Sequence, residues 1–289
     1  MGPAPEISAF FHEPTNTVSY IVADPASRVA AVIDPVLDFD LASGEVGTAS
    51  ADALLAVAAE RSLDIRWVLE THAHADHLSA ASVIKARTGA QIAIGQGIGA
   101  VRHAFAATFG DAGERAFDRL LADGDCLPLG GLEIEVMATP GHTPACVTYR
   151  IGDAAFVGDT LFMPDYGTAR TDFPGGDARQ LYRSIQRILG LPRDTRLFMC
   201  HDYKAPGRDV FAWETTVGGQ LDRNIHIGGG VAEDAYVAMR EARDATLSVP
   251  KLLYPSIQVN LRAGQLPQAE AGGRHFLKIP LSVPEGSDL

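Results

Sequence analysis

Only three of the 289 residues are cysteine, Cys126, Cys146 and Cys200, an odd number at wide spacing. A disulfide framework or a thiolate zinc finger needs more thiols placed closer together, so these read as reduced thiols and a cytoplasmic setting is expected. Basic residues are also scarce, with 24 Lys and Arg against 36 Asp and Glu and a net charge of -12. Nucleic-acid surfaces work by releasing counterions through clustered cations, so no nucleic-acid partner is expected, and an anionic substrate must meet a local basic patch. No apolar run reaches the ~20 residues of a bilayer span. The segment MGPAPEISAFF lacks both the positive start and the apolar run of a signal peptide, and Glu6 stands where a myristoylation motif wants Ser or Thr; no membrane association is expected. Fixed-period repeats and low-complexity tracts are missing too, which excludes solenoids and disordered tails.

What is present is ordinary globular composition, 46% hydrophobic and 21% charged, enough for one large domain over 1–289 with a C-terminal extension from about 250 packed on it. Thr17 to Ala23 and Arg28 to Ile33 read as adjacent strands. Ser50 is placed to cap a helix carrying Leu54, Leu55, Ala58 and Ala59, and Trp67 to Leu69 reads as a buried strand. A second helix is expected from about Leu78 to Arg87, ending near Gly89, before the apolar run Gln91 to Ile94. Leu132, Ile134, Val136 and Ala138 alternate with Glu133, Glu135 and Met137 as in a strand of unequal faces. Cys146 to Ile151 and Ala154 to Val157 flank Gly152-Asp153 as a hairpin. The stripe Leu181, Ile185, Ile188, Leu189 marks a helix closed by Gly190 and Pro192, followed by the strand Leu197 to Met199. Another helix is expected around Val231 to Leu247, and beyond it an extended tail rich in Pro and Gly. Strands and helices alternate in two blocks.

Most groups of ligand-type residues fall just after a predicted strand, an arrangement that gathers them at one end of the sheets. The stretch ETHAHADHLSA, residues 70–80, holds His72, His74, Asp76 and His77. His142 lies in TPGHTPA, Asp159 in GDTLF, and His201 in CHDY. Neutral imidazole and carboxylate are the usual ligands of first-row metals, and sets poor in cysteine favour open catalytic sites over closed structural ones. A His-x-His pair can aim both rings at one region while Asp76 and His77 point elsewhere, so two adjacent metal sites are possible. His12, His103, His226 and His275 have no such context and read as ordinary polar residues.

The ordered set THAHADH, PGHTPA, GDTLF and HD resembles the metallo-β-lactamase superfamily, an α/β αββα sandwich of two mixed sheets flanked by helices. Within it, ETHAHADHLSA, GTARTDF at 167–173, HDY at 201–203 and GRDVFAWETTVGGQLDRNIHI at 207–227 resemble the bacterial branch of the persulfide dioxygenases, also called sulfur dioxygenases. That resemblance implies one Fe(II) per chain held by His72, His142 and Asp159, with His74, Asp76, His77 and His201 orienting ligands and water. It further implies oxidation of glutathione persulfide by O2 to sulfite and glutathione, as in sulfide detoxification. His201 and Tyr203 would be catalytic, Arg170, Tyr203 and Lys204 would contact the substrate, Asp172 would fix the loop of Arg170, and a homodimer would be the assembly.

The residues alone do not exclude a binuclear zinc site, so a glyoxalase II-like hydrolase of glutathione thioesters is the first alternative. A non-catalytic metal-binding protein of the same fold is the second. Cys200 reads as a buried thiol at the end of an apolar strand rather than a nucleophile. The glycines of GQGIGAV, 95–101, miss the dinucleotide spacing and read as a turn feeding a helix. The segment QVNLRAGQLPQAEAGGRHFLKIPL, with Arg262, Arg274 and Lys278, reads either as a cover for the active-site mouth or as an edge strand and loop.

Overall fold

The computed structural model describes residues 4–110 and 116–283, so the myristoylation reading falls partly outside it at positions 1–3. The strand Thr17–Ala23 is buried at all seven positions. An apolar run without polar alternation demands cover on both faces. Val18, Tyr20 and Val22 face one core and Ile21 and Ala23 another, the period-2 alternation of a strand between two layers.

The inner core lies between two six-stranded sheets. The first runs, in spatial order, Glu6–His12, Thr17–Ala23, Val29–Ile33, Asp64–Glu70, Gln91–Gly95 and Arg119–Leu121. The second runs Cys126–Leu129, Leu132–Ala138, Val147–Ile151, Ala154–Phe156, Arg196–Phe198 and Glu214–Thr216. Each mixes parallel and antiparallel pairs. Helices Ala49–Glu60, Ala81–Thr88 and Ile98–Phe109 cover the outer face of the first sheet through Leu54, Ile84 and Val101. Ala178–Leu189 and Glu233–Asp244 cover the second through Leu181, Ile185 and Tyr236. The layers are therefore helix, sheet, sheet, helix, as the resemblance implies.

Several local expectations need correction. Ser50 lies inside the helix Ala49–Glu60; its N–H and Oγ both donate to the Asp38 carboxylate, at 2.9 and 2.7 Å. The cap thus comes from a strand residue far back in sequence. The second helix begins at Ala81, because Leu78–Ser79 pairs as a short strand with Val36–Phe39. Met137 is buried while Ala138 is only half-buried, so the alternation of Leu132–Ala138 fails at its end. The tail is not simply extended: Leu253–Asn260 is a helix. Pro255 sits in its first turn, where a missing N–H costs nothing, and every residue from Pro255 to Asn260 is buried, so no amphipathic period marks it. From residue 265 on, the described tail forms neither helix nor strand. Among the described residues no helix is long and apolar enough to cross a membrane.

Candidate metal centre

Four strand ends deliver the ligand-type residues to one edge of the sandwich. Asp64–Glu70 leads into 71–77, Leu132–Ala138 into the loop of His142, Ala154–Phe156 into Asp159, and Arg196–Phe198 into His201. A bridge between Thr17 and His201, with Val18 N–H donating to the Cys200 carbonyl at 2.7 Å, ties the two sheets together there. The close approach of the loops also explains GQGIGAV. A side chain at Gly97 would start 1.9 Å from the Pro144 carbonyl oxygen, so the start of Ile98–Phe109 can lie against the His142 loop only without a Cβ.

Each imidazole is held by one nitrogen. His72 Nδ1 donates to Thr71 Oγ1 at 3.0 Å, because that hydroxyl itself donates to Asp34 Oδ2 at 2.8 Å. His142 Nδ1 donates to the Arg170 carbonyl at 2.7 Å, and His74 Nε2 to Asp34 Oδ1 at 2.9 Å. His201 Nδ1 donates to the Asn16 carbonyl at 3.2 Å, and His77 Nδ1 faces Asp76 Oδ1 at 3.3 Å. In a neutral ring the nitrogen that donates its hydrogen leaves the other as a lone pair, so His72, His77, His142 and His201 aim an acceptor inward, and His74 does so where a bound cation takes the place of its second proton.

What those acceptors face is more acceptors. His72 Nε2 and His142 Nε2 stand 3.8 and 3.7 Å from Asp159 Oδ2. His201 Nε2 lies 3.4 Å from Asp159 Oδ1 and 3.2 Å from Asp76 Oδ2. Asp159 Oδ1, Asp76 Oδ2, His74 Nδ1, His77 Nε2 and His201 Nε2 are all buried without a hydrogen-bond partner. An unpaired buried polar atom costs on the order of 1–3 kcal/mol, so five in one place fit a bound cation. Two donor groups each keep their atoms within 4.8 Å of one another: His72, His142 and Asp159, and His74, Asp76, His77 and His201. Asp159 offers one oxygen to the first and turns the other toward the second.

Burial sets the charge states. It lowers His72 well below the ordinary imidazole value, with the neighbouring His74 and His142 adding to the effect, and takes His77 to about 4. Both rings are therefore neutral, as ligands must be. Burial also opposes charge on His74, but Asp34 and Glu70 outweigh it and raise that ring well above its usual value. Burial lifts the Cys200 thiol well above its ordinary value, which agrees with an inert buried thiol.

A cavity of about 270 Å³ opens on the first group, with His72, His142 and Asp159 in its wall. Phe162, Tyr166 and Tyr203 also line it, and so do Arg170, Arg240 and Arg243. The expected residues divide here. Tyr203 is 39% exposed, its ring stacked on His201 at 5.7 Å, and its hydroxyl has no hydrogen-bond partner among the described residues. Arg170 is already committed: Nε and Nη2 each lie 2.5 Å from the Asp172 carboxylate, and Nη1 donates to the Ser248 carbonyl at 2.9 Å. Asp172 thus holds the Arg170 side chain, whereas the resemblance gives it the loop to fix. Two of the expected residues stand off the cavity. Lys204 is absent from the wall, its ammonium standing 4.3 Å over the Phe211 ring. His201 is fully buried and faces carboxylates rather than the cavity.

Residues 12–201 match the family model described as Metallo-beta-lactamase superfamily. The chain belongs to this superfamily. A superfamily relative from Burkholderia pseudomallei, named as a probable metallo-hydrolase, is 54% identical over 96% of this chain and 99% of that one. The human mitochondrial persulfide dioxygenase ETHE1 is 35% identical over 69% of this chain and 70% of its own. The crystal structure of ETHE1 from Myxococcus xanthus superposes with a TM-score of 0.73 at 30% identity, covering 90% of this chain and all of that one.

Several site residues carry no spacing signal in the sequence. Asp34 and Thr71 orient two histidines through a carboxylate that no ligand motif contains. Arg243 reaches the wall from Glu233–Asp244, exposed and without an acidic partner among the described residues. Its neighbour one turn earlier, Arg240, is fully buried and paired with Asp244 at 2.6 Å. Asn260 reaches the histidine motif from the far end of the chain.

Proposed function

We propose that this protein is a persulfide dioxygenase that oxidises glutathione persulfide with O2 and water to sulfite and glutathione. One observation carries the reading: His72, His142 and Asp159 form their own donor group, and that group opens on the cavity. Two imidazoles and one carboxylate on one face are the donor set of non-haem Fe(II) oxygenases, and they leave room for substrate and oxygen. The likeness to proteins named as persulfide dioxygenases supports the same choice. Bound Fe(II) would supply electron transfer between sulfur and O2, which no side chain here can perform. In the overall reaction the terminal sulfur is oxidised to sulfite, both atoms of O2 are reduced, water supplies the remaining oxygen, and the glutathione thiol is restored.

The chain's own groups bind and orient. The unpartnered Tyr203 hydroxyl is placed to hydrogen-bond the substrate, and Phe162 and Tyr166 present apolar surface that excludes water. Arg170 shapes the wall, while its carbonyl keeps His142 in the ligating tautomer. Arg243 is the lining guanidinium left to meet a substrate carboxylate. His201 acts from behind, against the carboxylate of Asp159. Protein loaded anaerobically with Fe(II) should consume oxygen and form sulfite only when glutathione persulfide is added. The absence of persulfide-dependent uptake by iron-loaded protein would overturn the proposal.

The second donor group favours a second reading. His74, Asp76, His77 and His201 with their unpaired atoms could hold another ion, and zinc at both donor groups would supply the Lewis acid that activates water for thioester hydrolysis. Cleavage of a glutathione thioester by zinc-loaded protein, without oxygen uptake, selects that reading.

A further inference from the structure

The histidine motif is clamped by one residue that follows it by 186 positions in the chain. Asn260, the last residue of the helix Leu253–Asn260, donates from Nδ2 to the carbonyls of His74 and His77 at 2.9 and 2.8 Å. Its Oδ1 accepts the Ser79 N–H at 2.8 Å. The side chain is 4% exposed, so both donors and the acceptor are used away from water. Around it, Val259 packs with Leu78, and Ser82 Oγ donates to the Gly264 carbonyl at 2.6 Å. A carboxamide alone among side chains of this size offers two donors and one acceptor; Asp lacks the donors and Leu lacks everything polar.

We infer that Asn260 is a positioning residue for the metal centre. It sets the backbone of 74–79, and with it the aim of the rings and carboxylate that this short loop carries. The C-terminal helix is then a working part of the ligand loop. This rests on the reading that the donor cluster binds a metal, but not on which reaction the metal serves.

Co(II) substituted into the whole 289-residue chain reports coordination through its visible spectrum, without turnover. Asn260→Ala and the near-isosteric Asn260→Asp should bind Co(II) roughly tenfold to a hundredfold more weakly and shift that spectrum. Gln258→Ala is the control. It removes an equally buried carboxamide of the same helix that bonds Tyr254 and Lys278 and leaves the motif untouched. It should lower Tm while keeping wild-type affinity and spectrum. If Asn260→Ala does not fold, Asn260→Asp carries the test. Wild-type affinity and spectrum in Asn260→Asp would overturn the inference, and so would an equal loss in Gln258→Ala. Weakened Co(II) binding in a protein that never consumes oxygen would uphold the inference while refuting the proposed reaction.

Discussion

Asp34 does more for the five rings than its distance in sequence suggests. One oxygen accepts from the Thr71 N–H at 2.7 Å and from His74, and the other accepts from the Thr71 hydroxyl that orients His72. Asp34→Asn places a donor where only donors point, so metal affinity should fall by about tenfold to a hundredfold. Chelator competition measures it, and unchanged affinity would remove Asp34 from the site. The arginines separate by what already holds them. Arg243→Gln should raise KM for glutathione persulfide by roughly tenfold, the scale of one charge-assisted bond, with metal content unchanged. Arg170→Gln should raise KM less and lower Tm more, because it releases Asp172 and the Ser248 carbonyl. The reverse order of KM effects would restore Arg170 as the direct contact. HxHxDH was legible as a ligand motif from residue types and spacing, and the resemblance separated His72 from the rest; the spacing expectation that His72 and His74 serve one region fails, since His74 groups with Asp76, His77 and His201, because each ring's aim is set by Asp34, Asn16 or a carbonyl far away in sequence.

Among the elements, the helix Glu233–Asp244 was legible and its purpose was not. Arg240 and Asp244, one turn apart on this helix, are both buried. Asp244 Oδ2 accepts the N–H and hydroxyl of Thr171 at 2.8 and 2.9 Å, and Arg240 Nη1 donates to the Thr168 carbonyl at 3.1 Å. The helix thereby holds the segment that presents Arg170 to the cavity and its carbonyl to His142. Arg240→Met should cost about 3–5 kcal/mol, since it leaves a buried carboxylate uncompensated. Denaturant unfolding tests this, and a loss under 1 kcal/mol would show the pair to be ~neutral. The helix Leu253–Asn260 was missed because sequence periodicity marks helices with one wet face, and this one is buried along nearly its whole length.

Across the whole molecule, buried histidines set how stability follows pH. His226 accepts the Thr168 N–H at 3.0 Å, and burial, with Arg240 and Arg243 adding repulsion, lowers it from 6.5 to about 4. A depressed histidine costs nothing above the unfolded value. As pH falls from 6.5 towards 4, the unfolded chain takes up a proton that the fold refuses, so stability drops. His72 and His77 act in the same sense and His74 in the opposite one. Metal-free His226→Gln should therefore lose Tm less steeply than the parent between pH 6.5 and 4. Parallel slopes would mean that His226 titrates alike in both states.

By itself the sequence determined the layered alternation of strand and helix and the chemistry of the donors, because hydrophobic period and residue type are local properties. It also determined the order in which those donors follow the strands. Only the tertiary structure decided which nitrogen of each ring is free and that Asp159 faces both donor groups. The same holds for Lys204 and His201, which stand away from the cavity while Arg243 reaches it, and for the tail helix that clasps the motif. Those outcomes depend on contacts between residues far apart in the chain, and no spacing along one sequence records where a folded chain brings its distant parts together.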